Sequence, residues 1–478
     1  MSLRSLWDCR HAEVPALPSA LAETERWDTV VVGGGITGLT TALLLGRAGQ
    51  RVLLLEAGRL GQGTTGRSTA KLSLLQGTML SRIARHHSDQ VLREYVAGHR
   101  AGQEWAARFC EEHGVATQSR PAYTYANGEA GRAAVEAELA AARTAGLPVA
   151  GVADPPLPFP TRGAIRLDGQ LQLDPLDLVT AVAADAERHG VVVAERQRVR
   201  RVRGHAPIRL TLADGTLVTS RRVVLATNMP LLDRGGFFAR ISAERSYSVA
   251  FRTPSMAVDG MYLSADRPSR SLRDAPANAG EEGHLLLVGG NGHVTGRSTP
   301  TSRRLEQIRT WTTDHFPDAV EVAAWSAQDG APTHALPYVG PLLPGEERLL
   351  IAGGFSKWGM TGGIAAALAL ATRILGGPAH EAGDTGWARA WVPWSGHELT
   401  GLAGVARLNA ETGIELVRGW LRPWQRPGTG PRVCTHLGGR LVRNDAEDSW
   451  DCPLHGSRFD PDGTVLEGPA VCPLRGER

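Results

Sequence analysis

The chain has 478 residues, enough for two or three domains with hydrophobic cores of their own. A formal net charge of +3 gives no reason to invoke a polyanionic partner such as nucleic acid. The longest apolar stretch, residues 364–371, is too short to span a bilayer, and the first 25 residues lack an apolar signal core. Five cysteines are too few, and odd in number, for a secreted disulfide framework, so the cytoplasm is the expected compartment. All but two of the 52 basic residues are arginine, the exceptions being Lys71 and Lys357. Coding bias accounts for such a ratio, yet a retained ammonium can also serve chemistry that a guanidinium cannot.

Residues 1–27 read as an irregular lead-in. Residues 29–32 are a β-branched run suited to a buried parallel strand. Gly33-Gly34-Gly35-Ile36-Thr37-Gly38 follows, then an apolar helix, then a second strand that ends on Glu56 and Ala57. In this G-x-G-x-x-G, Gly33 permits the tight turn, Gly35 lets a pyrophosphate approach the backbone, and Gly38 lets helix and strand pack closely. The helix N-terminus offers unpaired N–H groups to the phosphates, and Glu56 is placed to accept from a ribose hydroxyl. Chance glycines in an ordinary strand–turn–helix are the bland alternative, but they do not explain the acid closing the second strand.

A Gly/Thr/Ser loop comes next, residues 60–71, containing Thr64, Thr65, Arg67, Ser68 and Lys71. With the preceding unit, this loop resembles the D-amino-acid oxidase family of FAD-dependent amine oxidoreductases. The resemblance implies that these residues line FAD. It implies non-covalent attachment, because Arg67 stands where a covalently bound relative could carry histidine. Residues 79–146 read mostly as helices, with 89–113 and 131–146 the clearest. Residues 154–160 are a proline-rich loop. Asp174-Pro175 opens a helix to Gly190. Strands are expected at 191–194 and 199–203, a hairpin turns on Asp214-Gly215, and a strand covers 222–227. Val199, Ala226 and Thr227 are expected nucleotide contacts by the resemblance. Strand-like pieces at 247–252, 260–264 and 284–288 and a helix at 302–316 match the family's substrate region. A last strand, Gly-rich turn and helix then runs from residue 349 to 375. It carries Gly354, Lys357, Trp358, Gly359, Met360 and Thr361, which in the family face the isoalloxazine.

The expected fold is therefore α/β: a Rossmann-type FAD-binding fold with an interleaved β-rich substrate region and a small C-terminal β domain. Residues 28–377 form the oxidoreductase. Its FAD-binding parts are 28–75, 160–229 and 335–377, and its substrate parts are 76–159 and 230–334. A linker helix is placed at 398–421 within residues 378–424, and residues 425–478 form the tail. There, Cys434-x-His436 and Cys452-x-x-His455 resemble a Rieske 2Fe–2S site, with two thiolates on one iron and two imidazoles on the other. A Cys2His2 zinc site is the alternative. The residues around the ligands, Cys-Thr-His-Leu-Gly and Cys-Pro-Leu-His-Gly-Ser, favour Rieske. Respiratory-type relatives add a disulfide between the loops, where this chain has Gly439 and Leu454. They also donate to the cluster from a serine, here Ser457, and a tyrosine, here Phe459. Fewer donors imply a lower potential within the family window of about −150 to +300 mV. The tail is too short for the usual β base, so either the body shelters the cluster or the cluster is labile.

The resemblance implies oxidation of an amine C–N bond to an imine. Electrons would pass to the cluster and then to an unknown acceptor. The alternatives are an oxidase that uses O2 with a structural tail, and a non-catalytic electron-transfer protein. Lys357 is the leading candidate for a charge that steadies reduced flavin. Tyr247 is a candidate for orienting substrate, though an ordinary core tyrosine fits equally. His334 is also a candidate, against the blander reading of a loop histidine. His293 is placed near the site by resemblance, and Arg245, Arg252 and Arg273 are candidates for holding a substrate carboxylate.

Overall fold

The computed structural model describes residues 3–11, 26–276, 283–377, 383–421 and 432–474. Parts of the lead-in and of the linker, residues 12–25, 378–382 and 422–431, therefore lie outside the described residues. The strand Arg26–Val32 is the axis of the first sheet. It pairs in parallel with Val52–Leu55 on one side and Leu217–Leu225 on the other. The order continues outward to Val192–Ala194 at one edge and to Leu349–Gly353 and Tyr338–Pro341 at the other. Where both faces are covered the strands are apolar, at residues 30–32, 52–55, 223–225 and 349–353. The helices Ile36–Arg47, Asp89–His113, Pro175–Arg188 and Gly359–Leu375 contribute to the core on one face. The hairpin Val199–Arg203 and Ile208–Leu212, with Phe237 and Tyr338, fills the other. Helix Pro175–Arg188 starts as its sequence requires, with Asp174 accepting from the Leu176 N–H at 3.0 Å and proline in the first turn.

The second sheet has nine strands. Ile241–Thr253 lies next to one edge, antiparallel to both His284–Val294 and the edge strand Val320–Pro332. Two of its members depart from expectation: Thr117–Tyr125 falls in a stretch read as helix, and Ala164–Leu173 lies between the 154–160 loop and the helix opened by Asp174, where no strand is placed from sequence. Each carries a residue that masks its strand character. Pro121 sits at a register shift in the first, and Gly169, with φ +69°, interrupts the second after Asp168. The lead-in also contains more order than expected. Leu6–Arg10 is a short helix whose Trp7 is fully buried, capped by Ser5 accepting from the Asp8 N–H.

The described part of the linker carries two 3-10 turns, Gly386–Trp391 and Gly396–Gly401, and continues as helix Leu402–Leu421. The tail is an antiparallel sheet of four strands, Val442–Asn444, Ser449–Asp451, Arg458–Phe459 and Val465–Glu467, each two or three residues long. Its β base is short, as the sequence implied, and the body supplies the rest of its surroundings. Arg297 donates to the Pro453 carbonyl at 2.9 Å, and Asp445 accepts from the Thr301 N–H and hydroxyl. Among the described residues no helix is long and apolar enough to cross a membrane.

Candidate functional site

A cavity of about 450 Å³ opens at the carboxyl end of the first sheet. Its floor is the Gly33–Gly38 turn. Gly33 has φ +113° and a side chain there would collide with the Ala226 carbonyl; one on Gly38 would collide with the Gly33 carbonyl. A Cβ on Gly35 would meet nothing nearer than the Thr65 hydroxyl at 3.1 Å, so the backbone at Gly35 is open to a ligand. Ile36 begins the helix, and its N–H donates to that hydroxyl at 3.2 Å. Glu56 is buried, which raises its carboxyl above the usual range, while N–H groups of Gly58 and Gly34 donate to it at 2.7 and 2.6 Å.

Of the expected flavin contacts, Thr37, Ala57, Thr64, Thr65, Arg67, Ser68, Val199, Ala226, Thr227, Lys357, Gly359 and Met360 line this cavity together with those of the glycine turn and Glu56. Gly38 serves packing beneath it. Gly354, Trp358 and Thr361 shape the last turn without facing the space; Thr361 instead holds the buried His99 at 2.7 Å. Lys71 is fully enclosed. Burial and the neighbouring Arg273 press its ammonium down to about 7, and it reaches Ser271 and the Tyr262 carbonyl.

The loop bearing Thr64–Ser68 is pinned by two indoles that the sequence did not reveal. Trp7 donates to the Ser68 carbonyl at 2.7 Å and Trp325 to the Arg67 carbonyl at 2.8 Å. Arg273 donates to the Thr69 carbonyl at 2.6 Å. The last turn holds two consecutive non-glycine residues at positive φ, Ser356 at 49° and Lys357 at 74°. The Lys357 N–H is taken by Asp329, a buried carboxylate that also faces the cavity. Burial lifts Asp329 to about 6, against the pull of the Lys357 and Gly330 N–H groups. Nothing in the sequence flags it except position, five residues before His334. The Lys357 ammonium lies against Gly292, 3.0 Å from where a Cβ would stand.

The other polar candidates lie elsewhere. Tyr247 is buried in the core under helix Ser302–His315, its ring stacked on His293 at 5.8 Å. His334 stacks on Tyr338 at 4.7 Å and burial drives its imidazole down to about 3. Arg245 is fully buried between Glu447 and Glu467 of the tail, at 2.9 and 3.0 Å. Arg252 is the penultimate residue of its strand, beside Gly283.

In the tail, Cys434, His436, Cys452 and His455 come together. The imidazoles of His436 and His455 are 5.2 Å apart, and Phe238 of the body packs edge-on against both. The Nδ1 of His455 is buried with no hydrogen-bond partner, as an iron ligand requires. His436 Nε2 is engaged by Asp233 of the body at 2.6 Å, which leaves its Nδ1 for the cluster. Cys434 is pulled below the usual thiol range, first by the Cys452 thiol and then by the His436 N–H and the Ser457 hydroxyl. Burial and the Cys434 partner push Cys452 the other way. All five cysteines are free, so this is a dithiol–diimidazole donor set with sulfur-directed donors, and it fits a Rieske cluster. Cys472 is exposed and stands apart; only its carbonyl takes part, accepting from Thr435 at 2.6 Å. At the two positions of the relatives' disulfide, a Cβ on Gly439 would meet Leu454 at 2.7 Å.

Residues 28–373 match the FAD dependent oxidoreductase family DAO. The chain belongs to that family. Residues 429–476 match the Rieske [2Fe-2S] domain, so the family's FAD and a 2Fe–2S cluster are its cofactors. A Rieske 2Fe-2S iron-sulfur protein of Bacillus subtilis, YhfW, is 30% identical over 97% of this chain and 95% of its own length. The cytochrome b6-f complex iron-sulfur subunit 3 of Nostoc is 50% identical over 42 residues, which cover 9% of this chain and 24% of that one. Among solved structures, glycine oxidase from Geobacillus kaustophilus superposes with TM-score 0.62 at 19% identity, over 74% of this chain and 96% of that one. L-proline dehydrogenase from P. horikoshii gives TM-score 0.62 at 19% identity, over 79% and 98%. These two establish the DAO-type fold.

Proposed function

We propose that this DAO oxidoreductase oxidises the C–N bond of an amine or amino acid to the imine and passes the electrons through its own Rieske cluster to an external acceptor. FAD, when bound, supplies two-electron chemistry at the C–N bond, and the cluster supplies one-electron transfer. The observation that carries the reading is the double role of Gln328. Its backbone carbonyl accepts from Thr64 at 2.7 Å in the cavity wall, and its side-chain amide donates to the Gly456 carbonyl at 2.9 Å in the second cluster loop. The two cofactor sites are thus separated by a single residue.

In this reading Lys357 sets a positive charge at the cavity wall that favours negative charge on the reduced cofactor. Asp329 fixes the strained turn from which that lysine projects. The helix Gly359–Leu375 aims its positive end at the same place. Arg245 and Arg273 are committed to internal partners, so substrate must be oriented by other groups. The amine oxidases and dehydrogenases that share the fold support the reaction class, and the 2Fe–2S domain supports the relay.

The test is anaerobic reduction with a panel of amines and amino acids, followed by flavin absorbance and cluster EPR. The expected outcome is flavin bleaching followed by a reduced-cluster signal. Flavin reduction without any cluster signal eliminates the relay, and no bleaching with any amine eliminates the reaction class.

A further inference from the structure

The FAD cavity is not closed by the body alone. Residues 464–471 of the tail form one of its walls, on the side of Glu56 and Arg198. The Arg198 guanidinium donates to the Val465 carbonyl at 2.8 Å. Glu56 marks the ribose end of a dinucleotide site, so the tail covers that end of FAD. The same segment is hung on the second cluster loop. The Ala470 N–H donates to the Ser457 hydroxyl at 3.0 Å, and that hydroxyl in turn reaches the Cys434 thiol. The Ser457 carbonyl accepts from the Cys452 N–H at 2.8 Å. Val465 pairs with Phe459 in the short sheet, and Glu467 closes the buried ion group with Arg245 and Arg458.

We propose that residues 464–471 are part of the FAD-binding site and that, through the Ser457–Ala470 link, cluster and FAD each strengthen the binding of the other. With the ligand set empty, the two buried thiols and the buried His455 Nδ1 lose the metal that would join the two cluster loops, which then keep only their hydrogen bonds to themselves and to the body. The wall then loses order with them, and FAD must restore that order when it binds. The coupling is reciprocal by linkage: whatever factor the cluster adds to FAD affinity, FAD adds to cluster affinity.

The experiment uses the full-length chain. Iron release to a ferrous chelator is timed from cluster-loaded protein with FAD bound and after FAD is stripped. In parallel, the FAD dissociation constant is measured by flavin fluorescence on cluster-loaded wild type and on cluster-free Cys434→Ser. Loss of the cluster is expected to weaken FAD about tenfold, and stripping FAD to speed iron release in the same direction, with no equality of the two factors required because release is a rate. The Ser457→Ala variant keeps all four ligands, and in it the ratio of release rates with and without FAD is expected to fall toward one. General destabilisation by FAD loss would leave that ratio unchanged. A wild-type ratio near one, or a ratio in Ser457→Ala equal to that of wild type, overturns the proposal. Neither readout needs an amine substrate, so its failure is separate from failure of the proposed reaction.

Discussion

The body and the tail are held together by different means. The body has broad apolar cores on both faces of its first sheet, and its functional turn depends on Gly33 and Gly38, which have no room for a methyl group, and on Gly35, whose bare backbone is open to a ligand. Among the described residues the tail has a core of seven, two of which are the cysteine ligands. Buried charge makes up the difference. Arg458 is fully buried and contacts Glu447, Asp451 and Glu467 at 2.8, 3.0 and 3.2 Å; Arg245, from the body, meets Glu447 and Glu467 as well. Burying charge is favourable only when each ion is fully paired, and here the pairing spans the two regions. The tail is therefore a completed part of the body rather than a free electron-carrying head.

The comparison is tested most severely at the metal. Cys452→Ser should remove the iron altogether, abolish the EPR signal and make residues 432–474 sensitive to limited proteolysis, while the body keeps its thermal transition. An intact tail without iron would mean that the ion group suffices. Next in size is Arg458→Met, which leaves Glu447 and Asp451 short of a partner. It should cost about 3–5 kcal/mol in denaturant unfolding followed through the cluster's visible circular dichroism. Undiminished stability would show the network to be ornamental.

A pH scan should separate the two regions by sign. Asp329, lifted by burial from 3.8 to about 6, binds more protons folded than unfolded between those values. Its contribution therefore destabilises the body as pH rises through that window, by roughly 3 kcal/mol in all. Glu447 behaves oppositely. Burial alone would raise it, but Arg458, Arg245 and Arg67 hold it at about 2 against an ordinary 4.5. The stability it provides is present above 4.5 and is lost as pH falls toward 2. Asp329→Asn should flatten the first slope and leave the second, read by tryptophan fluorescence and cluster absorbance respectively. The smallest effect belongs to Asp233→Asn. Removing a carboxylate from the outer nitrogen of His436 should raise the cluster potential by on the order of tens of millivolts in an EPR-monitored titration. The effect should shrink with salt, since Asp233 is largely exposed. An unchanged potential would detach Asp233 from the cluster.

Local signals were readable from the chain itself. Gly33, Gly35, Gly38 and Glu56 announced the dinucleotide site, and Cys434, His436, Cys452 and His455 the cluster, because each motif packs its chemistry into a few residues. What stayed hidden depends on partners far apart in sequence. Trp7 reaches Ser68, Arg245 reaches Glu447 and Glu467, and Arg198 reaches Val465; no local pattern encodes such pairs. Asp329 hid for a related reason, since only its burial and the strained turn opposite give it meaning. Tyr247, His334 and Arg245 were attractive as residue types near the right motifs, but strand alternation and long-range pairing sent them into packing and ion pairs instead. The strand Thr117–Tyr125 was obscured by its own proline.

One small contact carries a practical consequence. Leu454 leans on the bare backbone of Gly439 where relatives join the cluster loops through sulfur. Hydrocarbon against glycine has no oxidation state, so the grip between the loops does not vary with the thiol content of the surroundings. Millimolar dithiothreitol should leave the iron in place, and the agents that empty this site should be chelators and acid rather than reductants.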